Sequence, residues 1–562
     1  MGFEFILKLF IKNNQNKLSL FLVCIIALLL GSIIFYINST SNILGHSYRD
    51  IYFYLIEALR FSGYNISGYA YVNYLSPLIP FLTSILFKIG FVTESSIFLV
   101  TIIFYIFSII GLYFLLKLRF NNTYSILGSV IYACFSINIM WAGNGSIDIP
   151  CICLSIWALY FFIKAMDKNQ KYFYIALPLC VLAFFAKYIG ALIIAVIILY
   201  FLSQKDILKN IKKYIKNIIG GLIVSILLLI PFFYFYISNN IPLGFINQAQ
   251  EISSTTTQSA ISIRHHRGNN LFYYFTNMPR FIYNPNHYVS YILIIIAIIG
   301  IIFALYKFYK ILTNNNSNKF HFLQDKIKLS KNITYLLLAL SIIGMLISFF
   351  IAGKVSFVIC ESIFYFSILI FSIILNEIIT KYNGEHKSLS FDIAMIGWFM
   401  GYIVFFSSHL TKADRYATAF APPLAFFIAY GIKTICDKIP KKSIREIIPF
   451  ICVILLVLIA LGYLTVNKHD TLVDNEQDVV EWLEINNPNI SSINIASDRG
   501  PIYTWYIQKE VKYITGDNGT LLSEELTKNN IEYYISQNHN LSIPNYHEVE
   551  EFGKVTIYQR IS

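Results

Sequence analysis

Charged residues are scarce in this chain, because Asp, Glu, Lys and Arg together make up only 13% of its 562 residues. Soluble globular domains carry closer to about 25%, so an ordinary soluble protein is excluded. Hydrophobic residues reach 56%, and segments 17–37 and 288–306 are long apolar runs. Each has the roughly 20 residues with which a helix crosses about 30 Å of hydrocarbon. The composition therefore predicts a polytopic α-helical membrane protein.

Cysteine is also absent from the long polar segments, since all eight cysteines lie in or beside apolar runs. No disulfide framework is available to stabilise an extracellular loop. Cys151 and Cys153 are two residues apart and would point to different faces of a helix, which argues against a metal or redox pair. We expect buried, apolar cysteines.

Lys and Arg are unevenly distributed among the loops. With a cytoplasmic N-terminus and alternating sides, the inner segments hold 26 of them and the outer loops before residue 467 hold ten. This bias follows the positive-inside rule. It predicts about thirteen spans within residues 1–466, an outer loop at 38–95, and two short spans within 172–202 separated at AKYIG. The net charge of +12 is thus placed at the membrane, and no nucleic-acid partner is expected.

The last segment, 467–562, has no spanning run and carries 15 acidic and 7 basic residues. DNEQDVVEWLEINNP and LLSEELTKNN have helical spacing, whereas SINIAS, EYYIS and KVTIYQRI are typical of short strands. We predict a small extracytoplasmic α/β domain at the C-terminus of a multi-pass cell-membrane protein.

Polar residues gather in the predicted outer loops. YRDIYFYLIEALRFSGY predicts an amphipathic helix in the membrane interface, with Asp50, Tyr54 and Glu57 at helical spacing; a solvated helix face without chemistry is the alternative. SPLIPFLTSILFKIG predicts a second short amphipathic helix after it. In the turn MWAGNGSIDIP, Asp148 is costly near a membrane unless it faces a cavity or a partner. We interpret it as a site residue, with a helix N-cap as the alternative.

A cationic segment, SSHLTKADRYATAF, lies between two late spans. It places His409, Lys412, Arg415 and Tyr416 on the outer side, against the usual charge bias. The planar guanidinium of Arg415 suits a phosphate; the alternatives are snorkelling to lipid headgroups and pairing with Asp414. The loop 238–287, with its adjacent histidines in RHHRGNN, is interpreted as a solvated polar loop, with a substrate-gating loop as the alternative.

These residue types suit sugar transfer from a lipid phosphate. That reaction needs cations for the leaving phosphate, for which Lys187, Lys412 and Arg415 are candidates. It also needs a carboxylate that takes the acceptor proton, and Asp50 is the candidate, with Asp148 as the second catalytic carboxylate. Tyr54, Glu57, His409 and Tyr416 complete the predicted substrate-binding set. We predict no metal site and expect no cofactor, although a divalent metal is not excluded.

At these residues the chain resembles the GT-C membrane glycosyltransferases, in particular the protein O-mannosyltransferases and the lipid A aminoarabinose transferase. The resemblance rests on the order of Asp50 with Tyr54, YLSPLIPFL, SIDIP and RYATAFAPPLAFFIAYG, followed by an outer domain. It implies an inverting transferase with a polyprenyl-phosphate sugar donor. Phe53 stands where the aminoarabinose enzymes have arginine, so that particular sugar is not implied. The acceptor could be a glycan, a lipid or a protein.

Two other functions fit a polytopic membrane protein. A transporter or flippase of lipid-linked glycans would have inverted repeats and a polar site in the middle of the membrane. We find no convincing repeat, and the ionisable residues collect toward one face. A structural scaffold does not explain carboxylates at the membrane surface.

Overall fold

The computed structural model describes most of the chain. The described residues are 2–40, 48–66, 69, 75–204, 207–241, 243–246, 270–283, 287–313, 319–322, 327–351, 355, 357–381, 386–408, 412–466, 471–538 and 541–561. The chain forms two compact units. The first, which we call the helical unit, holds residues 1–31, 104–141 and 147–463; the second, the outer unit, holds residues 32–103, 142–146 and 464–562.

The chain up to residue 466 is almost entirely helical, as its apolar composition predicts. Its α-helices are Gly2–Thr40, Asp50–Ser62, Leu78–Lys88, Glu94–Leu116, Asn122–Cys134, Ser136–Gly143, Asp148–Asp167, Phe173–Ala186, Leu192–Leu202, Ile207–Ser238, Tyr273–Thr276, Met278–Ile282, His287–Thr313, Lys331–Phe350, Phe357–Lys381, His386–Ser408, Ala421–Asp437 and Lys442–Val466. Short 3₁₀ helices lie at Gln170–Tyr172, Tyr188–Ala191 and Asp414–Phe420, and strands Lys319–Phe322 and Ile327–Ser330 form an antiparallel hairpin.

Nine helices in the described part of the chain are long and apolar enough to cross a membrane. A tenth span results if Asn122–Cys134 and Ser136–Gly143, which meet at a bend of 58°, are counted as one. Segments 170–186, 188–202 and 359–375 are also apolar but shorter. The predicted fold class is confirmed, whereas the predicted count of thirteen spans is not.

The spans differ in how much of their surface is buried. In Ser388–Ser407, 83% of the apolar stretch that could cross the membrane is buried, compared with 11% of the corresponding stretch in Ile211–Ser238. Ser388–Ser407 is therefore mostly enclosed by protein, whereas Ile211–Ser238 lies mostly at the protein surface. The buried helix Ser388–Ser407 is the one that precedes the cationic segment in the chain.

Residues 471–561 form the predicted α/β domain within the outer unit. Its five-stranded sheet has the order Lys512–Tyr513, Ile495–Ser497, Tyr533–Ser536, Val555–Arg560, Tyr546–Phe552. The first three strands are parallel, and the last two are antiparallel to their neighbours. Helices Leu472–Asn486, Gly500–Ile507 and Gly519–Lys528 accompany the sheet. The three predicted strands and two predicted helices are confirmed; strands Lys512–Tyr513 and Tyr546–Phe552 and helix Gly500–Ile507 were not predicted. The predicted domain boundary at 466 stays a prediction.

The two amphipathic helices predicted in the first outer loop are also present in the outer unit. Asp50–Ser62 ends at Gly63, whose φ of +96° lets its N–H reach the carbonyls of Leu59 and Arg60. A left-handed glycine of this kind is a common helix terminator because it carries no Cβ. Leu78–Lys88 follows, and Pro80 lies in its first turn, where a proline costs no helical hydrogen bond.

Candidate active site

A break between two helices determines the position of Lys187. Helix Phe173–Ala186 ends there, and Lys187 itself is extended, with φ −159° and ψ 131°. The 3₁₀ turn that follows is closed by the N–H of Gly190, which donates to the carbonyl of Lys187 at 2.7 Å. A Cβ at Gly190 would lie 2.3 Å from the carbonyl oxygen of Ala183, so only glycine fits this close approach. The predicted division at AKYIG is confirmed.

Lys187 forms an ion pair with Asp148. Its Nζ lies 2.5 Å from Asp148 Oδ1, and the two side chains are 17% and 4% exposed. Helix Asp148–Asp167 has Ile147 at its N-cap, so Asp148 is the first helical residue rather than the cap. The alternative that Asp148 only caps this helix is therefore wrong. Its charge is favoured both by the ammonium and by the positive end of the helix dipole.

The ring of Tyr416 brings two cations of the helical unit together. Lys187 Nζ lies over this ring at 4.7 Å from its centroid, and Arg415 Cζ lies over it at 5.5 Å. The ring also stacks on Phe406, with centroids 4.5 Å apart and an interplanar angle of 11°. An aromatic face attracts cations through its quadrupole and adds no opposite charge of its own. Asp148, Lys187, Arg415 and Tyr416, all predicted as site residues, thus form one cluster, which we call the cation cluster.

Asp414, next to the cation cluster, has partners from a different loop. It accepts hydrogen bonds from the hydroxyl of Tyr273 and from the guanidinium of Arg280. Asp414 therefore pairs with Arg280, which the sequence analysis did not identify as its partner. The only signal for Arg280 in the sequence was a positive residue on the predicted outer side. Its pairing holds the start of the 3₁₀ helix Asp414–Phe420, which carries Arg415 and Tyr416.

Lys412 is also near the end of a helix, but its ammonium is already hydrogen-bonded. Nζ donates to the carbonyls of Phe406 at 2.9 Å and Ser407 at 2.6 Å. These carbonyls belong to the last turn of His386–Ser408, where helical carbonyls lack partners and positive charge is favoured. Burial lowers the pKa of Lys412 to about 8. Its charge is therefore sensitive to pH in the neutral to alkaline range.

The remaining predicted residues of the first loop lie in the outer unit. Asp50, in the first turn of its helix, is 29% exposed, while Tyr54 and Glu57 are buried. Glu57 pairs with Arg60 at 3.5 Å on the same helix. Burial raises the pKa of Glu57, and the charge of Arg60 opposes that rise. Of the three predicted residues, Asp50 is the one whose carboxylate is accessible.

Two other predictions concern histidines. His409 and the pair His265–His266 lie outside the described residues. In the described ranges, no three His, Cys, Asp or Glu residues are grouped as metal ligands would be. In the helical unit, Lys187 and Arg415 lie over one ring, and Lys412 is near Arg415 in the sequence.

Comparison with known proteins identifies the fold. The family model described as dolichyl-phosphate-mannose-protein mannosyltransferase matches residues 75–235. Crystal structures of ArnT from Cupriavidus metallidurans, in the apo state and bound to undecaprenyl phosphate, match with a TM-score of 0.54 at 10% identity, covering 95% of this chain and 97% of that one. The oligosaccharyltransferase of Archaeoglobus fulgidus, in the apo form, matches with a TM-score of 0.51 at 14% identity, covering 92% of this chain and 69% of that one. No curated protein sequence matches the chain.

Proposed function

We propose that this chain, a membrane protein with the GT-C glycosyltransferase fold, transfers a sugar from a polyprenyl-phosphate donor to an acceptor at the outer face of the membrane. The cation cluster is the observation that carries the proposal. Lys187 and Arg415 lie over one tyrosine ring, and the buried Asp148 carboxylate holds Lys187. Support also comes from the match to a mannosyltransferase family and from the likeness to ArnT, which was crystallised with undecaprenyl phosphate.

In this proposal the cation cluster binds the donor phosphate. Arg415 offers a planar fork of N–H donors to two phosphate oxygens. Lys187 adds a point charge, and Lys412 adds a further one when it is protonated. As the sugar–phosphate bond breaks, negative charge builds up on the leaving phosphate, and preorganised cations stabilise this charge. Asp148 keeps Lys187 oriented, so little reorganisation is needed during the reaction.

Asp50 is the proposed general base. The acceptor oxygen attacks the anomeric carbon from the side opposite the phosphate, its proton passes to the Asp50 carboxylate, and polyprenyl phosphate leaves. This single displacement inverts the anomeric configuration. A base must carry an accessible lone pair within hydrogen-bond reach of the proton, and Asp50 retains exposed surface whereas Glu57 does not. In this proposal the C-terminal domain lies outside the cell, and the N-terminus lies inside.

The activity is tested with purified protein in lipid nanodiscs. A panel of radiolabelled polyprenyl-phosphate hexoses and pentoses is added, and release of label to water or to added acceptors is measured. We expect turnover of at least one donor, loss of turnover in Asp50→Asn, and weaker donor binding in Arg415→Ala. Transport of the intact lipid-linked sugar between leaflets without bond cleavage would refute the enzyme assignment. Full turnover in a folded Asp50→Asn variant would refute the base.

A further inference from the structure

Arg49, the residue before Asp50, is bound by the C-terminal domain. Its Nη1 donates to the hydroxyl of Tyr513 at 2.7 Å, and its Cζ lies 4.9 Å from the centroid of the same ring. Its Nη2 is 3.9 Å from Asp50 Oδ1. The guanidinium thus spans from the Asp50 carboxylate to a tyrosine more than 400 residues later in the chain.

Tyr513 occupies a fixed position in the fold. It belongs to the edge strand Lys512–Tyr513, where it pairs with Ser497 of the neighbouring parallel strand. A side chain on a paired strand is placed more accurately than one on a loop, because the ladder limits the backbone. The contact to Arg49 therefore fixes the first turn of helix Asp50–Ser62 relative to the sheet.

A second contact holds the same turn. The hydroxyls of Tyr52 and Tyr506 are 3.2 Å apart, and the two rings lie 5.8 Å apart at 55°. Tyr506 belongs to helix Gly500–Ile507, and Gln477 also donates to its hydroxyl. The neighbouring Trp505 stacks on Phe87 of the second amphipathic helix. The helix that carries Asp50 is thus attached to the C-terminal domain on both sides of that residue.

We propose that Arg49 is a positioning residue for the Asp50 carboxylate, and that the C-terminal domain fixes it through Tyr513. This inference rests on the proposed role of Asp50 as the base. Arg49 and Asp50 are 31% and 29% exposed, and ion pairs with such exposure contribute little to stability. Orientation matters more, since a small misplacement of a reacting group lowers the rate strongly. The C-terminal domain is thereby part of the acid–base apparatus.

The test measures kcat and donor KM for Arg49→Met, Tyr513→Phe and the double variant, with a radiolabelled polyprenyl-phosphate sugar that the wild type turns over. We expect kcat to fall about tenfold or more in each single variant, with KM unchanged. The double variant should be no slower than Arg49→Met. Tyr533→Phe is the matched control, because Tyr533 also has a bonded hydroxyl in this sheet, to Asn487 at 3.2 Å, and should keep full kcat.

Each outcome has one meaning. Wild-type kcat in Arg49→Met and Tyr513→Phe would overturn the positioning role, and so would additive losses in the double variant. A kcat loss that the Tyr533→Phe control shares, together with a lower melting temperature in Arg49→Met, Tyr513→Phe and Tyr533→Phe, would also overturn it. Turnover in Asp50→Asn would instead overturn the proposed base. If Asp50→Asn is inactive while the Arg49 and Tyr513 variants are fully active, only the positioning inference fails.

Discussion

The ion pair between Asp148 and Lys187 leads to a prediction in which stability and activity separate. Replacing Lys187 by Met leaves the Asp148 carboxylate, which is 4% exposed, without its ammonium partner. Removing one member of a buried pair costs about 3–5 kcal/mol, because the remaining charge is desolvated and uncompensated. Lys187 is 17% exposed, so the pair is not fully buried, and we expect a loss near the low end, about 3 kcal/mol.

The double variant Asp148→Asn with Lys187→Met removes both charges. Replacing a buried ion pair by neutral groups of similar volume is often close to neutral, so the double variant should recover most of the stability. Activity should not recover, because the proposed phosphate site still lacks the Lys187 cation. Unfolding is followed by fluorescence in detergent, and turnover by release of label from a polyprenyl-phosphate sugar.

The result that would refute this reasoning is specific. If Lys187→Met unfolds at the wild-type temperature, the pair does not contribute to stability as its burial implies. If the double variant regains stability and also full turnover, the ammonium has a structural role and does not bind the donor. Lys187→Arg serves as the control, since it keeps the charge while changing its geometry.

Lys412, Arg280 and Gly190 lead to further predictions. Because the pKa of Lys412 is lowered to about 8, its ammonium is charged below that pH and loses its charge above it; donor KM should therefore rise above pH 8 in the wild type and stay flat in Lys412→Arg. The lowered pKa also means that the unfolded chain binds more protons between pH 8 and about 10.5, so this residue's contribution to unfolding free energy should increase across that range. Arg280→Ala leaves Asp414 with one fewer of its donors, and should raise donor KM by about fivefold, corresponding to about 1 kcal/mol, while Arg280→Lys should restore it. Gly190→Ala places a Cβ 2.3 Å from a backbone carbonyl and should lower the melting temperature and turnover together, whereas Gly462→Ala, whose Cβ would meet nothing within 4 Å, should lower neither.

Local elements were predictable wherever a pattern repeats within a short stretch. Helix Asp50–Ser62, the division at Lys187 and strand Tyr533–Ser536 all follow from hydrophobic period or from a turn residue. The short strand Lys512–Tyr513 was not predictable, because two residues are too few to show a period. It forms because a neighbouring strand stabilises it. The number of membrane spans was harder to predict for a related reason. Length and apolarity alone do not decide whether segments such as 170–186 cross the bilayer.

The candidate site could be predicted as a set of residues but not as a set of contacts. Charge at an unusual place in the sequence identified Asp148, Arg415 and Lys412, since an ionisable group near lipid is costly without a function or a partner. Which partner each group has depends on residues far apart in the chain. Asp414, for example, pairs with Arg280, which lies 134 residues earlier in the chain.

The amino-acid sequence by itself determined that this is a helical membrane protein with a small α/β domain. Burial in lipid requires long apolar segments, and packing in a sheet core requires short hydrophobic periods. Both are visible in the sequence. Only the tertiary structure decided that Lys187 lies with Asp148 and Tyr416, and that Arg49 contacts Tyr513. Those contacts join residues separated by tens to hundreds of positions, and no local free-energy preference selects among such partners. The packing of complete helices and strands selects these partners.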